Sequence, residues 1–357
     1  MNDRLSRVLA EIGPVDREAM EAARTRQDQL TKPPGSLGRL EDLAIRIAGI
    51  KGRMVPGFEH RAIVTMAADH GVVCEGVALY PQEVTRQMVH NFLNGGAAIN
   101  VLAGFIGARV VVVDMGVIGG FEPQRGLVCR TAGYGTGNMA KGPAMTRQQA
   151  MDAIEAGVGV IEAEIARGLD IVGTGDMGIG NTTASSAILA AVTGEPVQEV
   201  TGRGTGLADA QVAHKVAVIE RALETNMPDP EDPLDVLAKV GGFEIGGLVG
   251  VMLGAAGHRV PVVIDGFVSG AAALIATGLS PELKDYLIAG HLSAESGHQA
   301  LLRYLGLAPL LTLEMRLGEG TGAVLGIAVV EVAVRALAGM ATFAEAGVST
   351  IEKEESA

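Results

Sequence analysis

The 357 residues are enough for two domains or for one large α/β unit with an appended lobe, and 48% apolar against 19% charged residues excludes a disordered chain. The net charge of 28 − 41 = −13, with no run of Lys or Arg, excludes duplex nucleic acid as an expected partner. Two cysteines, Cys74 and Cys129, lack C-x-x-C spacing, so neither a disulfide scaffold nor a structural zinc site is expected, and a reducing cytoplasm is the expected setting.

Helical signals open the chain. Asp3 precedes an apolar-periodic turn, Pro14 and Asp16 precede Arg17 to Leu30, and Ser36 precedes Leu37 to Ile50. The loop Lys32-Pro-Pro-Gly-Ser separates the last two, because no helix runs through paired prolines. The N-terminus has charges without an apolar stretch behind them and does not read as a signal peptide.

Beyond these helices, short β-branched runs alternate with longer helical stretches, the pattern of a parallel sheet with crossover helices. Four runs end in an acid: Ile63 to Ala68 before Asp69, Val110 to Val113 before Asp114, Ile171 to Gly175 before Asp176, and Val262 to Ile264 before Asp265. Parallel strands present their carboxyl ends on one edge of the sheet, so the four acids are expected to gather where ligands bind. A single such Asp equally well satisfies the loop that follows its strand. Helices are expected over Gln82 to Asn94 after Pro81, from Thr146 to Arg167, and from Asp209 to Asn226. The longest near-uncharged apolar segment, Ile245 to Gly257, is too short to span a bilayer, and the polar tail from Ser349 to Ala357 is expected to be loose.

Glycine makes up 50 of the 357 residues, about 14%, against a usual value of about 7%. Three clusters stand out: Gly133 to Gly137, Gly173 to Asn181, and Gly202 to Gly206. The second contains G-x-G-x-x-G between a predicted strand and a predicted helix, and backbone N–H groups in such a turn attract an anion. Glycines there also serve tight packing of helix on strand. The third, with Arg203 inside it and Lys215 after it, reads as a second anion-facing turn. No Walker pattern, no G-x-S-x-G elbow and no H-E-x-x-H spacing among the seven histidines is present, which disfavours a nucleoside triphosphatase, a serine hydrolase and a metal centre. Asp69-His70 with Cys74-Glu75 is the weak exception. Near the C-terminus, Glu319 stands between glycines in Met315-Arg-Leu-Gly-Glu-Gly-Thr-Gly-Ala323. Apolar neighbours would raise its pKa toward that of a general base, while the adjoining helix N-terminus would lower it. From the residues alone, a nicotinamide-dependent oxidoreductase, a nucleotide-binding sensor and a transferase all stay open.

Taken together, Lys32-Pro-Pro-Gly-Ser-Leu-Gly-Arg-Leu-Glu41, Asp69-His-Gly-Val, Pro81-Gln-Glu-Val-Thr85, Gly178-Ile-Gly-Asn-Thr-Thr183, Lys239-Val-Gly-Gly-Phe-Glu244, Asp265-Gly-Phe-Val-Ser269, Ser293-Ala-Glu and the Glu319 turn resemble, in order and without large gaps, the nicotinate-nucleotide:dimethylbenzimidazole phosphoribosyltransferases. That resemblance implies a Rossmann-like, mostly parallel sheet with flanking helices and a smaller helical lobe built from both termini. The expected boundaries are 1–55, 56–290 and 291–357. It implies phosphoribosyl transfer from nicotinate mononucleotide to 5,6-dimethylbenzimidazole, a homodimer, and no cofactor or metal. It assigns Glu319 as base, with Asp176 as second acid where the family usually has glutamate. It places the phosphate on Gly175, Gly178, Gly202, Gly204 and Lys215, and the nicotinate and ribose on Asn181, Thr182, Asp265 and Ser293. The aromatic acceptor is expected against Tyr80, Met88, Met177 and Leu317, an adaptable slot that also suits related rings.

Overall fold

A computed structural model describes residues 3–349 apart from Pro56 and Thr205; most of the C-terminal tail, 350–357, lies outside the described residues. Six parallel strands form the main sheet: β1 (Arg61–Ala68), β2 (Arg109–Gly116), β3 (Leu127–Cys129), β4 (Ile171–Met177), β5 (Val262–Ile264) and β6 (Leu287–Ala289). Their order is β3-β2-β1-β4-β5-β6, and helices connect them in α/β fashion. The chain starts at the centre and moves outward to one edge before crossing back to the other. Strand order therefore reverses between β1 and β4, which is where such sheets open a binding crevice. Residues Ala62 to Met66 of β1 pair in register with Arg109 to Val113 of β2, and Arg61 to Ala67 pair with Ile171 to Met177 of β4. The four strands that end in acids are β1, β2, β4 and β5. Neither β3 nor β6 carries a comparable run long enough to be read in the sequence. A further short parallel pair joins β7 (His291–Leu292) to β8 (Leu311–Thr312).

The helices follow their caps. Asp16 accepts a hydrogen bond from Ala19 N at the start of Arg17–Gln29, and Thr146 with Gln149 closes a capping box on Arg147–Ala166. The third helix runs from Arg39 to Lys51, after Gly38 rather than Ser36, because residues 34–38 form turns. Helix Phe243–Gly257 is apolar apart from Glu244 and buried along its length except at Gly257. Its Gly247 and Gly250 meet the backbone and side chains of neighbouring elements so closely that a Cβ at either position would collide. Burial of each Val, Ile, Leu or Phe in such a core stabilises by roughly 1.5–3 kcal/mol.

The described contacts divide the chain into one compact unit of Met1–Gly13 and Glu59–Ile327 and another of Pro14–Phe58 and Ala328–Ala357. These divisions differ from the boundaries read in the sequence, chiefly in that 291–327, with the Glu319 turn, falls in the larger unit. Thr321–Gly339 is the one helix among the described residues long and apolar enough to cross a membrane, longer than the Ile245 to Gly257 segment noted above, and half of its most apolar window is buried inside the protein.

Candidate active site

The acids at the strand ends divide by role. Asp114 Oδ1 accepts the backbone N–H groups of Gly116 and Val117, and Asp69 Oδ2 accepts that of Ile118. Asp265, fully buried, accepts from Gly320 through Oδ2 and from Gly322 and Ala323 through Oδ1, at 3.1, 2.6 and 3.1 Å. It therefore caps the helix Thr321–Gly339 and anchors the turn before it. It does not line the cleft, as a direct contact to ribose or nicotinate would require. Only Asp176 of the four faces the cleft.

That cleft lies at the β1/β4 reversal, with a cavity volume of about 120 Å³. Met177 to Thr182, Gly204, Lys215, Ser293, Glu295, Arg316, Leu317 and Gly318 are among its lining. The N-terminus of helix Asn181–Thr193 points at it, so its floor carries partial positive charge. Lys215, 1% exposed, donates to Thr182 Oγ1 at 2.9 Å, and burial depresses its pKa to about 8 against the opposing pull of Glu295. Arg316 Nη1 donates to Gly204 O at 2.8 Å, and Arg203 pairs with Asp209. Three cations thus surround one glycine turn. The sequence marks Arg203, and it places Arg316 and Glu295 within the Met315–Ala323 and Ser293-Ala-Glu motifs without giving either a role.

On the other side stands the Glu319 turn. Gly318, Glu319 and Gly320 have φ of 84°, 63° and 97°. A non-glycine residue in the left-handed region costs on the order of 1 kcal/mol and persists where the surroundings impose it. Here they do: Glu319 N donates to Asp176 O at 3.1 Å, and Glu319 O accepts from Thr65 Oγ1 at 2.9 Å. Gly175 lies beneath, and any Cβ there would collide with the Glu319 carbonyl. Gly175 is therefore a packing glycine within β4 and not part of an anion turn, and Gly173 packs likewise on Ala323 and Ile327. Of the G-x-G-x-x-G residues only Gly178 reaches the cleft.

The Glu319 carboxylate is 4% exposed and accepts the Ile99 N–H, at the start of helix Ala98–Phe105, at 3.1 Å. Burial raises its pKa and outweighs that hydrogen bond. Asp176 lies well above the usual range, first because it is buried and then because Asp265, Glu244 and Glu319 repel its charge, although Asn181 Nδ2 donates to it at 2.8 Å. Asp265 is raised to about 7 by burial despite its three N–H donors. Buried carboxyls this close do not all ionise together.

Beneath the 178–181 turn lies a pair the sequence did not reveal: His70 Nε2 and Glu244 Oε1 are 2.6 Å apart and fully enclosed. Asp69-His70 and Cys74-Glu75 do not form a ligand set, and no three His, Cys, Asp or Glu side chains converge as a metal site among the described residues. Of the expected aromatic-slot residues, Met177 and Leu317 line the cleft. Tyr80 and Met88 do not, although Val77 and Ala78 bring the chain to its rim, and Thr85 Oγ1 fastens the helix Glu83–Leu93 to Ile179 N. Gly202 lies outside the lining, packed against Glu295.

Residues 12–348 match the protein family described as phosphoribosyltransferase. The chain is 61% identical over 352 residues to the nicotinate-nucleotide–dimethylbenzimidazole phosphoribosyltransferase of Desulforudis audaxviator (strain MP104C), covering 99% of this chain and all of the relative. It is 61% identical over 345 residues to the protein of that name from Roseiflexus sp. (strain RS-1), covering 97% and 98%. The crystal structure of CobT from Thermus thermophilus superposes with a TM-score of 0.90 at 49% identity, over 94% of this chain and all of that one.

Proposed function

The chain belongs to the phosphoribosyltransferase family, and we propose that it transfers the phosphoribosyl group of nicotinate mononucleotide to 5,6-dimethylbenzimidazole, a step of cobalamin assembly. The bond between C1′ and the nicotinate nitrogen breaks, and its electrons return to the pyridine ring. The acceptor's unprotonated nitrogen forms the new bond to C1′ from the opposite face, giving α-ribazole 5′-phosphate. The acceptor's other nitrogen then loses its proton to keep the product neutral at the ring. Glu319 is the group that takes this proton.

The observation that carries the reading is the opposition of two chemistries across one cleft. Lys215, the Gly204 turn and the N-terminus of helix Asn181–Thr193 supply a positive side for the 5′-phosphate. Asp176, Met177, Leu317 and Gly318 supply an acidic and apolar side; Glu319 follows Gly318 in the chain but is not itself among the lining residues, being 4% exposed with its carboxylate on the Ile99 N–H. The leaving group departs readily as a neutral pyridine, so positioning contributes much of the rate, and a base whose pKa is raised toward neutrality typically adds about 10²- to 10⁴-fold. Asp176 with its elevated pKa acts as a neutral neighbour that keeps Glu319 from facing a second full charge. Ser293, Asn181 and Thr182 bind the nucleotide, and Met177 and Leu317 hold the acceptor ring.

The protein is further proposed to act as a cytoplasmic homodimer. Val101 and Phe105, one helical turn apart on the helix whose Ile99 N–H holds Glu319, are 69% and 85% exposed and fit such an interface. Sedimentation at micromolar concentration checks the dimer. A chromatographic assay with nicotinate mononucleotide and 5,6-dimethylbenzimidazole checks the reaction: nicotinate and α-ribazole 5′-phosphate are expected in equal amounts, and binding without product would leave a nucleotide sensor instead.

A further inference from the structure

We propose that Glu295 is an internal competitor for the substrate's phosphate: its carboxylate takes the contacts of the anion-binding turn, and the phosphate must displace it to bind. The proposal rests on the reading of this cleft as the nucleotide site. Glu295 immediately precedes the helix Ser296–Leu305 but makes no side-chain capping bond to it. The side chain turns instead into the cleft, which it lines. Gly204 N is 3.4 Å from Glu295 Oε2 in hydrogen-bonding orientation. The same oxygen lies against Gly202, where any Cβ would collide with it, so the glycine is what admits the carboxylate to the turn.

Lys215 makes the turn a built site. Its ammonium is buried, and Thr182 Oγ1 is its one hydrogen-bond partner among the described residues, leaving donors available to an anion. Glu295 is the acid whose charge Lys215 senses. The remaining cations of the cleft are engaged at its edges, Arg316 with the Gly204 carbonyl and Arg203 with Asp209. A phosphate seated on Gly204 N–H and Lys215 would therefore meet the Glu295 carboxylate at close range, and like charges at that separation repel strongly in a buried setting.

The consequence is specific to this reaction. Substrate and product both retain the 5′-phosphate, so an internal competitor weakens both alike and leaves the chemical step untouched. It raises KM and hastens product release. A side chain serving only to hold the turn in shape would have the opposite signature, since its loss would weaken phosphate binding.

Calorimetric titration of inorganic phosphate into the full-length protein separates these cases. E295Q keeps the shape and removes the charge, and phosphate is expected to bind roughly tenfold more tightly than to wild type; E295A is expected to act in the same direction. Equal or weaker binding by either variant, with thermal unfolding like that of wild type, overturns the proposal. On the wild-type protein itself, phosphate must shift a carboxylate stretching band in the infrared difference spectrum, and an unchanged band also overturns it. Wild-type protein that forms product while E295Q gains no affinity refutes this inference alone. Wild-type protein that binds neither phosphate nor nicotinate mononucleotide refutes the nucleotide reading and the competitor with it.

Discussion

Two glycine turns face one another across the cleft and are held to different degrees. The Gly318–Gly320 turn is fixed through several backbone groups at once: Asp265 holds Gly320 from below, Asp176 O receives the Glu319 N–H, and Thr65 holds the Glu319 carbonyl. In the Gly202–Gly206 turn the Gly206 N–H donates to Arg203 O, side chains hold Gly204, with Arg316 on its O and Glu295 on its N, and a Cβ on Gly206 would meet nothing within 4 Å. A base that removes a proton must sit within a few tenths of an ångström of its target. A phosphate cradle only has to offer charge and N–H groups, and it tolerates adjustment. Rigidity is placed where geometry decides the rate.

The largest effect expected from breaking this contrast is that of E319Q, which keeps the turn and removes the proton acceptor. Turnover should fall by about 10²- to 10⁴-fold in the product assay. D265A comes next. It leaves three backbone N–H groups of the turn and the following helix without their acceptor, and a stability loss of roughly 2–4 kcal/mol is expected in denaturant unfolding, accompanied by loss of turnover. If D265A lowers stability and spares activity, the anchored turn is not what positions the base.

On the other turn, K215M should raise KM for the nucleotide by roughly 10- to 100-fold with a much smaller change in kcat. Because Lys215 is charged below about 8, phosphate affinity of the wild type should decline as pH rises through that value, and binding above it should take up a proton. A flat affinity between pH 7 and 9 would contradict the assignment.

Smaller still is the pH effect of the His70–Glu244 pair. Burial pulls the imidazole pKa down, but Glu244, as charge and as hydrogen-bond partner, carries it above its ordinary value. The folded state therefore binds the proton more tightly than the unfolded chain does. This stabilisation is complete below the unfolded value of about 6.5 and is lost as pH rises through the folded one. H70Q should remove that slope from the melting temperature above pH 6.5. Smallest is L317A, expected to weaken binding of the aromatic acceptor a few-fold and to leave phosphate affinity as it was.

What was legible in the sequence follows the range of the forces involved. The central strands were readable because β-branched runs end in Asp, and Glu319 was readable because glycines on both sides mark a closely approached carboxylate. Neither strand β3 nor β6, three residues each, carries enough pattern to stand out. The roles of Asp265, Gly173 and Gly175 were not legible because each depends on a partner far along the chain: Asp265 on residues 320–323, Gly175 on the Glu319 carbonyl. The same holds for His70 and Glu244, 174 residues apart. A strand-end acid and a strand glycine look alike whether they touch a ligand or brace a turn, and only the packing separates them.

The two turns divide the labour between chemistry and binding. Titrating nicotinate mononucleotide calorimetrically into wild type, E319Q and K215M tests that division most directly. E319Q is expected to bind the nucleotide as wild type does while making little product, and K215M to bind it far more weakly. Equal loss of binding in both variants would contradict the division and make the two turns a single binding unit.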